Sequence, residues 1–170
     1  MRQLIIGSVL ALAFFALPAA AVEKIAVVDI QRVIFTSDVA KARQKELQTE
    51  SSFVALQAKY DGIASDVKAL QQKIEAERDT MSREQATENQ KKMEYLRADY
   101  ELVARKLQAE VQQLQGKIME ELQPKVQAAL KELIEAESIT LLLQREAVII
   151  AAPELDVTGK LLERLNAKTK

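Results

Sequence analysis

The chain has 170 residues, with 24 Lys and Arg against 25 Asp and Glu, and it contains no Cys, His or Trp. The lack of Cys excludes a disulfide framework and a thiolate metal site, and the lack of His removes the commonest general base and metal ligand. The net charge of −1 gives no electrostatic footprint for nucleic acid. Four Gly and three Pro are too few for an all-β domain with many turns.

Residues 1–21 have the pattern of a secretory signal peptide. A positively charged start precedes an uncharged apolar run over residues 4–17, and the small residues that a signal peptidase accepts follow at Ala19 and Ala21. The run is short for a bilayer span, which favours cleavage over the alternative of a retained membrane anchor. Cleavage would leave 149 residues from Val22 with no second long apolar run, so we expect an exported protein without stable membrane insertion.

Residues 22–37 are predicted to form the first part of a small body. The β-branched run over residues 25–28 predicts a strand that is buried on both faces. Asp29 is a suitable N-cap for a short helix over residues 30–35, which the polar residues 36–38 then interrupt.

Residues 38–137 carry two seams of apolar residues at spacings of three and four, the pattern of coiled-coil packing. The seam of the first half consists of Phe53, Leu56, Tyr60, Ile63, Val67, Leu70 and Ile74. The seam of the second half consists of Met93, Leu96, Tyr100, Val103, Leu107, Val111, Leu114, Ile118 and Leu122. We therefore predict that the two halves pack against each other as an antiparallel coiled-coil hairpin.

The seam lapses between the two halves, and we place the tip of the hairpin near residues 79–82. Ser82 and Gln85 fit a capping box, so a second helix can begin there. The alternative is one continuous helix that dimerises in parallel, which the lack of Gly or Pro at the tip favours. A helix over residues 38–79 would be about 63 Å long, so the hairpin must protrude from the rest of the chain as an arm.

The late part of the arm contains a proline that bears on its shape. Pro124 disfavours helical geometry at the preceding residue and removes one backbone hydrogen bond. We therefore expect a kink that separates the arm from residues 125–137.

Residues 138–170 are predicted to complete the body. Two apolar runs, over 138–143 and 147–151, predict two strands that form a hairpin. Asp156 or Thr158 is a suitable cap for a last amphipathic helix. The expected fold is α+β but mostly α, with a small β-sheet body for oligomerisation and a long protruding coiled-coil hairpin.

The apolar character of both faces of these strands predicts an oligomer. One helix and the base of one arm leave an apolar patch that is too large for a soluble monomer. A closed ring of bodies with one shared core is the simplest solution, and the periodicity leaves the number of copies open. The residues assigned to the body core and the oligomer interface are Ile25, Val27, Leu141, Leu143, Val148 and Ile150.

Four further residues of the arm are candidates for contact or movement. Met81 and Tyr95 lie off the continuous seam, which makes them the candidates for contact with a bound polypeptide. Gly116 and Pro124 weaken the helix near the arm base and are candidates for a hinge, with tolerated neutral sites as the alternative.

No set of residues supports catalysis. Carboxylate pairs such as Glu120 and Glu121 lie in a solvated helical pattern, where they are surface charges and not acid–base groups. The chain also lacks a Gly-rich phosphate loop. We therefore predict a protein that is not an enzyme, that holds no cofactor or metal and that acts through binding energy alone.

Both ends of the predicted mature chain resemble one known family. The opening KIAVVDIQRVI, over residues 24–34, and the ending SITLLLQREAVIIAAPELDVTGKLLERLN, over residues 138–166, are similar to the Skp/OmpH family of periplasmic chaperones. The long charged hairpin, with a Pro late in its second helix, matches the same order of parts.

The resemblance implies a homotrimer whose hairpins enclose a cavity, and an ATP-independent periplasmic holdase that receives unfolded outer-membrane proteins. Well-known members have strongly basic arms, whereas residues 38–137 hold 16 Lys and Arg against 19 Asp and Glu. This difference leaves contact with lipid or lipopolysaccharide open. The alternative function is a periplasmic coiled-coil adaptor with one fixed envelope partner.

Overall fold

The computed structural model describes residues 24–170. The predicted signal peptide, with its cleavage residues Ala19 and Ala21, lies outside this range. Two strands form a sheet: β1, over Lys24–Val28, and β2, over Ile139–Gln144. The helices are α1 over Ile30–Thr36, α2 over Asp38–Thr49, α3 over Ser51–Glu77, α4 over Arg83–Glu137 and α5 over Thr158–Lys168. Short 3-10 turns over Arg145–Ala147 and Pro153–Leu155 lie between β2 and α5.

The strands β1 and β2 pair in parallel, with Ile25 opposite Leu141 and Val27 opposite Leu143. Parallel strands need a long crossover connection, and here the helices α1 to α4 provide it. The strand predicted over residues 25–28 is confirmed.

The second predicted C-terminal strand, over residues 147–151, is not formed. The run over 138–143 pairs with β1 and not with 147–151, so the predicted hairpin is wrong. Val148 has extended backbone angles, φ −119° and ψ 121°, but within residues 24–170 no strand pairs with this segment. Local β propensity produces the extended conformation, whereas a strand also needs a hydrogen-bonding neighbour.

The core of the body lies between the inner face of the sheet and the helices α1, α4 and α5. Ala26 and Val28 of β1 face this core, and Leu161 and Leu165 of α5 are fully buried in it. The buried apolar residues of α4 recur every three or four positions: Ile118, Leu122, Val126, Ala129 and Leu133. The base of α4 therefore belongs to the body core, although the prediction assigned all of residues 38–137 to the arm.

The segment Asp156-Val157-Thr158 fastens α5 to the end of β1. The Thr158 hydroxyl accepts a hydrogen bond from the Asp29 backbone N–H at 3.0 Å, and the Val157 N–H donates to the Val27 carbonyl at 2.9 Å. The Asp156 carboxylate accepts from the Thr158 N–H at 2.9 Å, and hydrogen bonding from Thr158 lowers the pKa of Asp156. The N-cap residue of α5 is Val157, which has no side-chain cap, so neither Asp156 nor Thr158 is the N-cap that the sequence predicted, although Asp156 accepts from the first N–H of the helix.

Two polar residues set the limits of the first two helices. The Asp29 carboxylate accepts from the Arg32 N–H at 2.8 Å, which confirms it as the N-cap of α1. The Ser37 hydroxyl is buried, accepts from the Ala40 N–H at 3.2 Å and donates to the Ile34 carbonyl at 2.7 Å. Ser37 therefore ends α1 and caps α2 with the same side chain.

The helices α3 and α4 form the predicted antiparallel hairpin, with the tip between Glu77 and Arg83. Ser82 and Gln85 form the capping box in both directions, so the predicted tip near residues 79–82 is confirmed. Most seam residues are half-buried, because each arm helix covers the other from one side only. The seam residues buried most completely along the free arm are Ile63, Leu70, Met93 and Val103.

The first half of the arm is interrupted near its base. The helix α2 ends at Thr49 and α3 begins at Ser51, with Glu50 between them at φ −68° and ψ 130°. No side chain caps the first turn of α3. The helix expected over residues 38–79 is therefore two helices. Thr49, Ser51 and Ser52 have low helix propensity, which favours a break at this point.

Candidate functional site

The outer face of the sheet carries apolar residues that the single chain covers only in part. Side chains alternate along a strand, so Ile25 and Val27 of β1 lie on the face opposite the core, with Leu141 and Leu143 of β2 beside them. Ile25 is 42% exposed and Leu141 is 47% exposed. We call these four residues the outer sheet face.

The segment after β2 exposes two further apolar residues. Ile149 is 97% exposed and Ile150 is 85% exposed, whereas Val148 is half-buried. Of the six residues predicted for the body core and interface, Val27 is the one that is fully buried within the single chain. The prediction omitted Ile149, although it stands in the same apolar run and that run was the available signal.

The arm presents Tyr95 and Leu102 to solvent. Tyr95 is 74% exposed and Leu102, one heptad further along α4, is 43% exposed. Met81 at the tip is half-buried, and its sulfur accepts a weak hydrogen bond from Asn89 Nδ2 at 3.4 Å. Of the two predicted contact residues, Tyr95 is thus fully available for a partner and Met81 is partly engaged by the arm itself.

The two predicted hinge residues, Gly116 and Pro124, lie within α4, which continues through both to Glu137. A methyl group added at Gly116 would meet nothing within 4 Å, so packing does not require glycine there. Pro124 is exposed and stands between the buried Leu122 and Val126, which hold the helix against the core on both sides of the proline. The other half of the arm has a break in its helical backbone, between α2 and α3.

Glu137, the last residue of α4, joins three elements at the foot of the arm. Its carboxylate lies 2.6 Å from Lys24 Nζ of β1 and 2.8 Å from Lys160 Nζ of α5. Hydrogen bonds from Lys160 and Lys24 lower the pKa of Glu137 from 4.5 to about 2. This carboxylate is therefore a charged structural link between the sheet and both helices.

The exposed surfaces of the body and of the arm both carry apolar side chains. Within residues 24–170, no group of three or more acidic side chains is arranged to hold a metal ion. No helix in that same range is long and apolar enough to cross a membrane. The candidate site is the exposed apolar surface of the body, with Tyr95 and Met81 as the candidate contact residues on the arm.

Comparison with known proteins places the chain in a family. Residues 24–165 match the family model of the outer membrane protein (OmpH-like). A Skp-like protein of Pseudomonas aeruginosa is 28% identical over 155 residues, which cover 91% of each chain. A solved structure from Caulobacter crescentus CB15, a candidate OmpH-like outer membrane chaperone, has a TM-score of 0.50 at 22% identity and covers 87% of this chain and 86% of that one. The chain belongs to the OmpH-like family, as the resemblance of its two ends predicts.

Proposed function

We propose that this protein is an ATP-independent holdase chaperone that binds unfolded outer-membrane proteins and prevents their aggregation. Membership of the OmpH-like family supports the proposal, as does the likeness in fold to a candidate outer membrane chaperone. The observation that carries it is the shape of the chain. The helix α4 has 55 residues and is about 80 Å long, and it leads away from a small body with an uncovered apolar surface.

The outer sheet face and the pair Ile149 and Ile150 support an oligomeric body. Each aliphatic side chain that moves from water into a core stabilises an assembly by about 1.5–3 kcal/mol. Packing of these surfaces against neighbouring copies would close a ring and direct the arms to one side. Three is the number of copies that the family resemblance implies, so we propose a homotrimer with a cavity between three arms.

The arms would hold a client through many weak contacts. Contacts from three arms act at a high effective concentration, so each one can be weak and the client still stays bound. Tyr95 and Met81 are proposed contact residues, because aromatic and Met side chains adapt to varied apolar partners. Weak contacts also allow release without a chemical fuel.

We further propose that the protein works in the periplasm. This location follows from the pattern of a cleavable signal over residues 1–21 and agrees with the envelope clients of the proposed activity. The nearly balanced charge of the arm favours capture through apolar contacts over long-range electrostatic attraction.

The test is the aggregation of a urea-denatured outer-membrane β-barrel protein after dilution, with and without the purified chain from Val22. We expect suppression at one assembly per client and a mass for the assembly that corresponds to three chains. Unchanged aggregation at this ratio would contradict the proposal. A pull-down that yields one stoichiometric envelope partner, and no porin-like clients, would instead indicate the coiled-coil adaptor.

A further inference from the structure

Two grooves lie between the residues on either side of the interruption at Glu50 and the facing part of α4. Both grooves contain Leu47, Leu114 and Ile118, so they lie on the two sides of one shared contact. Along α4, Glu110 belongs to one groove and the next residue, Val111, belongs to the other. The two flanks of the arm base can therefore be compared directly.

The first groove is charged. Its volume is about 550 Å³, and Arg43 reaches across it to Glu121 of α4 at 3.3 Å and along its own helix to Glu46 at 3.0 Å. Glu50, Glu110 and Lys117 complete this charged lining. An apolar segment placed here would strip water from these charges without replacing their hydrogen bonds, which is unfavourable.

The second groove is uncharged, and we call it the uncharged groove. Its volume is about 690 Å³, and none of the described residues that line it is charged, in a chain of which 29% is charged. Phe53 contributes to its apolar wall, together with Val54, which is 49% exposed, and Val111, which is 39% exposed. Its polar lining consists of four carboxamide side chains: Gln44, Gln48, Gln57 and Gln115.

We propose that the uncharged groove binds an extended, uncharged segment of an unfolded client polypeptide. Strands of outer-membrane barrels are about ten residues long and alternate apolar with polar side chains. Such a segment can place apolar side chains on Phe53, Val54 and Val111. A carboxamide both donates and accepts, so the glutamines can hydrogen-bond the free N–H and C=O groups of an extended backbone. The inference rests on the proposed function and names the flank of the arm that receives the client.

A second copy of the chain is a weaker candidate for this groove. The apolar residues suited to contact between copies, the outer sheet face with Ile149 and Ile150, lie in the body, whereas the groove lies in the arm. A wall of carboxamides also suits a changing partner, because it satisfies backbone groups whatever the client's side chains are.

The test compares two lysine substitutions on α4 at similarly exposed apolar positions. Val111→Lys places a charge in the uncharged groove, and Leu102→Lys is the matched control, since Leu102 is 43% exposed and does not line that groove. Val54→Lys repeats the test from α3. Lysine is a good helix former, and circular dichroism with mass measurement checks that each variant folds and assembles. The probe is the urea-denatured outer-membrane β-barrel.

We expect Val111→Lys and Val54→Lys each to weaken binding of this probe about tenfold, since the client segment would have to cover an unpaired charge. The affinity of Leu102→Lys for the probe should stay within about twofold of the wild-type affinity. The chain has no cysteine, so a polarity-sensitive dye on Val54→Cys gives a second readout. We expect its emission to shift to shorter wavelength with the client present, and a dye on Leu102→Cys to stay unchanged.

Each other result overturns the assignment. Equal affinity of the wild type and Val111→Lys, or equal losses for Val111→Lys and Leu102→Lys, would remove the groove as a client site while the holdase function stands. A smaller assembly in the groove variants would assign the groove to a second copy. A wild type that does not bind the client would refute the proposed function itself, and the groove assignment with it.

Discussion

The rings of Tyr60 on α3 and Tyr100 on α4 stack across the arm, with their centroids 4.5 Å apart and their planes 30° from parallel. Their hydroxyl groups also share a hydrogen bond. Both residues belong to the predicted seam, and the pair joins the two helices across the hairpin. The hydrogen bond with Tyr100 raises the pKa of Tyr60 above its ordinary value of 10.0.

Replacing Tyr100 with Phe keeps the stacked ring and removes the hydroxyl. We expect the pKa of Tyr60 to fall towards 10.0, since the bond with Tyr100 is the main cause of its rise. The chain has three tyrosines, so the combination of Tyr95→Phe with Tyr100→Phe leaves Tyr60 as the single reporter in a spectrophotometric titration. A titration midpoint that stays elevated in this double variant would contradict the pairing.

The charged link at Glu137 predicts a loss of stability in acid. The pKa of Glu137 is about 2 in the folded protein, below the ordinary 4.5, so its contribution is complete above pH 4.5 and is lost as the pH falls towards 2. We expect Glu137→Gln to melt at a lower temperature at neutral pH and to show a flatter decline between these two values. Lys160→Met should give an intermediate profile because Lys24 remains. Parallel melting curves for Glu137→Gln and wild type at every pH would refute this link.

The capping box at the arm tip predicts a local effect on stability. Ser82→Ala removes the acceptor for the Gln85 N–H, and we expect it to lower the stability of the hairpin by about 1 kcal/mol. Hydrogen exchange of the amides in the first turn of α4 measures this change. Ser65→Ala, an exposed position inside α3, is the control and should leave that exchange unchanged. Equal exchange rates of these amides in Ser82→Ala and Ser65→Ala would show that the Ser82 cap does not stabilise the start of α4.

The exposed pair Ile149 and Ile150 predicts a surface that copies of the chain share. We expect the double change Ile149→Lys and Ile150→Lys to reduce the mass of the assembly to that of a single chain, because a three-copy ring would have to bury six lysine charges without opposite charges to pair with them. Mass photometry or light scattering gives the readout. Tyr95→Lys is the control, since its side chain is 74% exposed on the arm, and it should keep the full assembly. An intact assembly in the double variant would place the interface elsewhere.

The hinge prediction for Gly116 and Pro124 has a matched control within the arm. Gly116→Ala with Pro124→Ala strengthens the helix, and we expect it to narrow the distribution of particle dimensions in small-angle scattering. Gly62→Ala adds a methyl group at an equally open helical position on α3, beyond the break at Glu50. If Gly62→Ala narrows the distribution to the same extent, movement is not centred at the base of α4.

Local patterns in the sequence were sufficient for most of the elements. The seams, the capping box at Ser82 and the N-cap at Asp29 depend on residues within one or two helical turns. They can therefore be predicted without knowledge of the tertiary structure. The exposure of Tyr95 follows from the same periodicity, because this residue lies off the seam. Membership of the family followed from one motif at each end of the predicted mature chain. Each motif is a continuous run of residues, so it can be recognised without the fold.

The candidate site was only partly accessible from the sequence. Val111 was predicted as a seam residue, which should be largely covered by the facing helix. In the structure it is 39% exposed and lines the uncharged groove. Val54 follows the seam residue Phe53 directly, and an apolar residue beside a seam was the only signal for it. The groove itself could not be foreseen, because it depends on where one helix stops opposite another.

The sequence by itself determined most of the helical residues, where the hairpin turns and which positions are apolar, since these properties depend on neighbours along the chain. The tertiary structure decided that β2 pairs in parallel with β1, that residues 147–151 find no partner strand within the described chain, and that the base of α4 lies in the body core. These outcomes depend on contacts between residues that are distant along the chain, more than a hundred positions apart in the pairing of β1 with β2, and no local propensity specifies which distant partner completes a sheet or covers a helix.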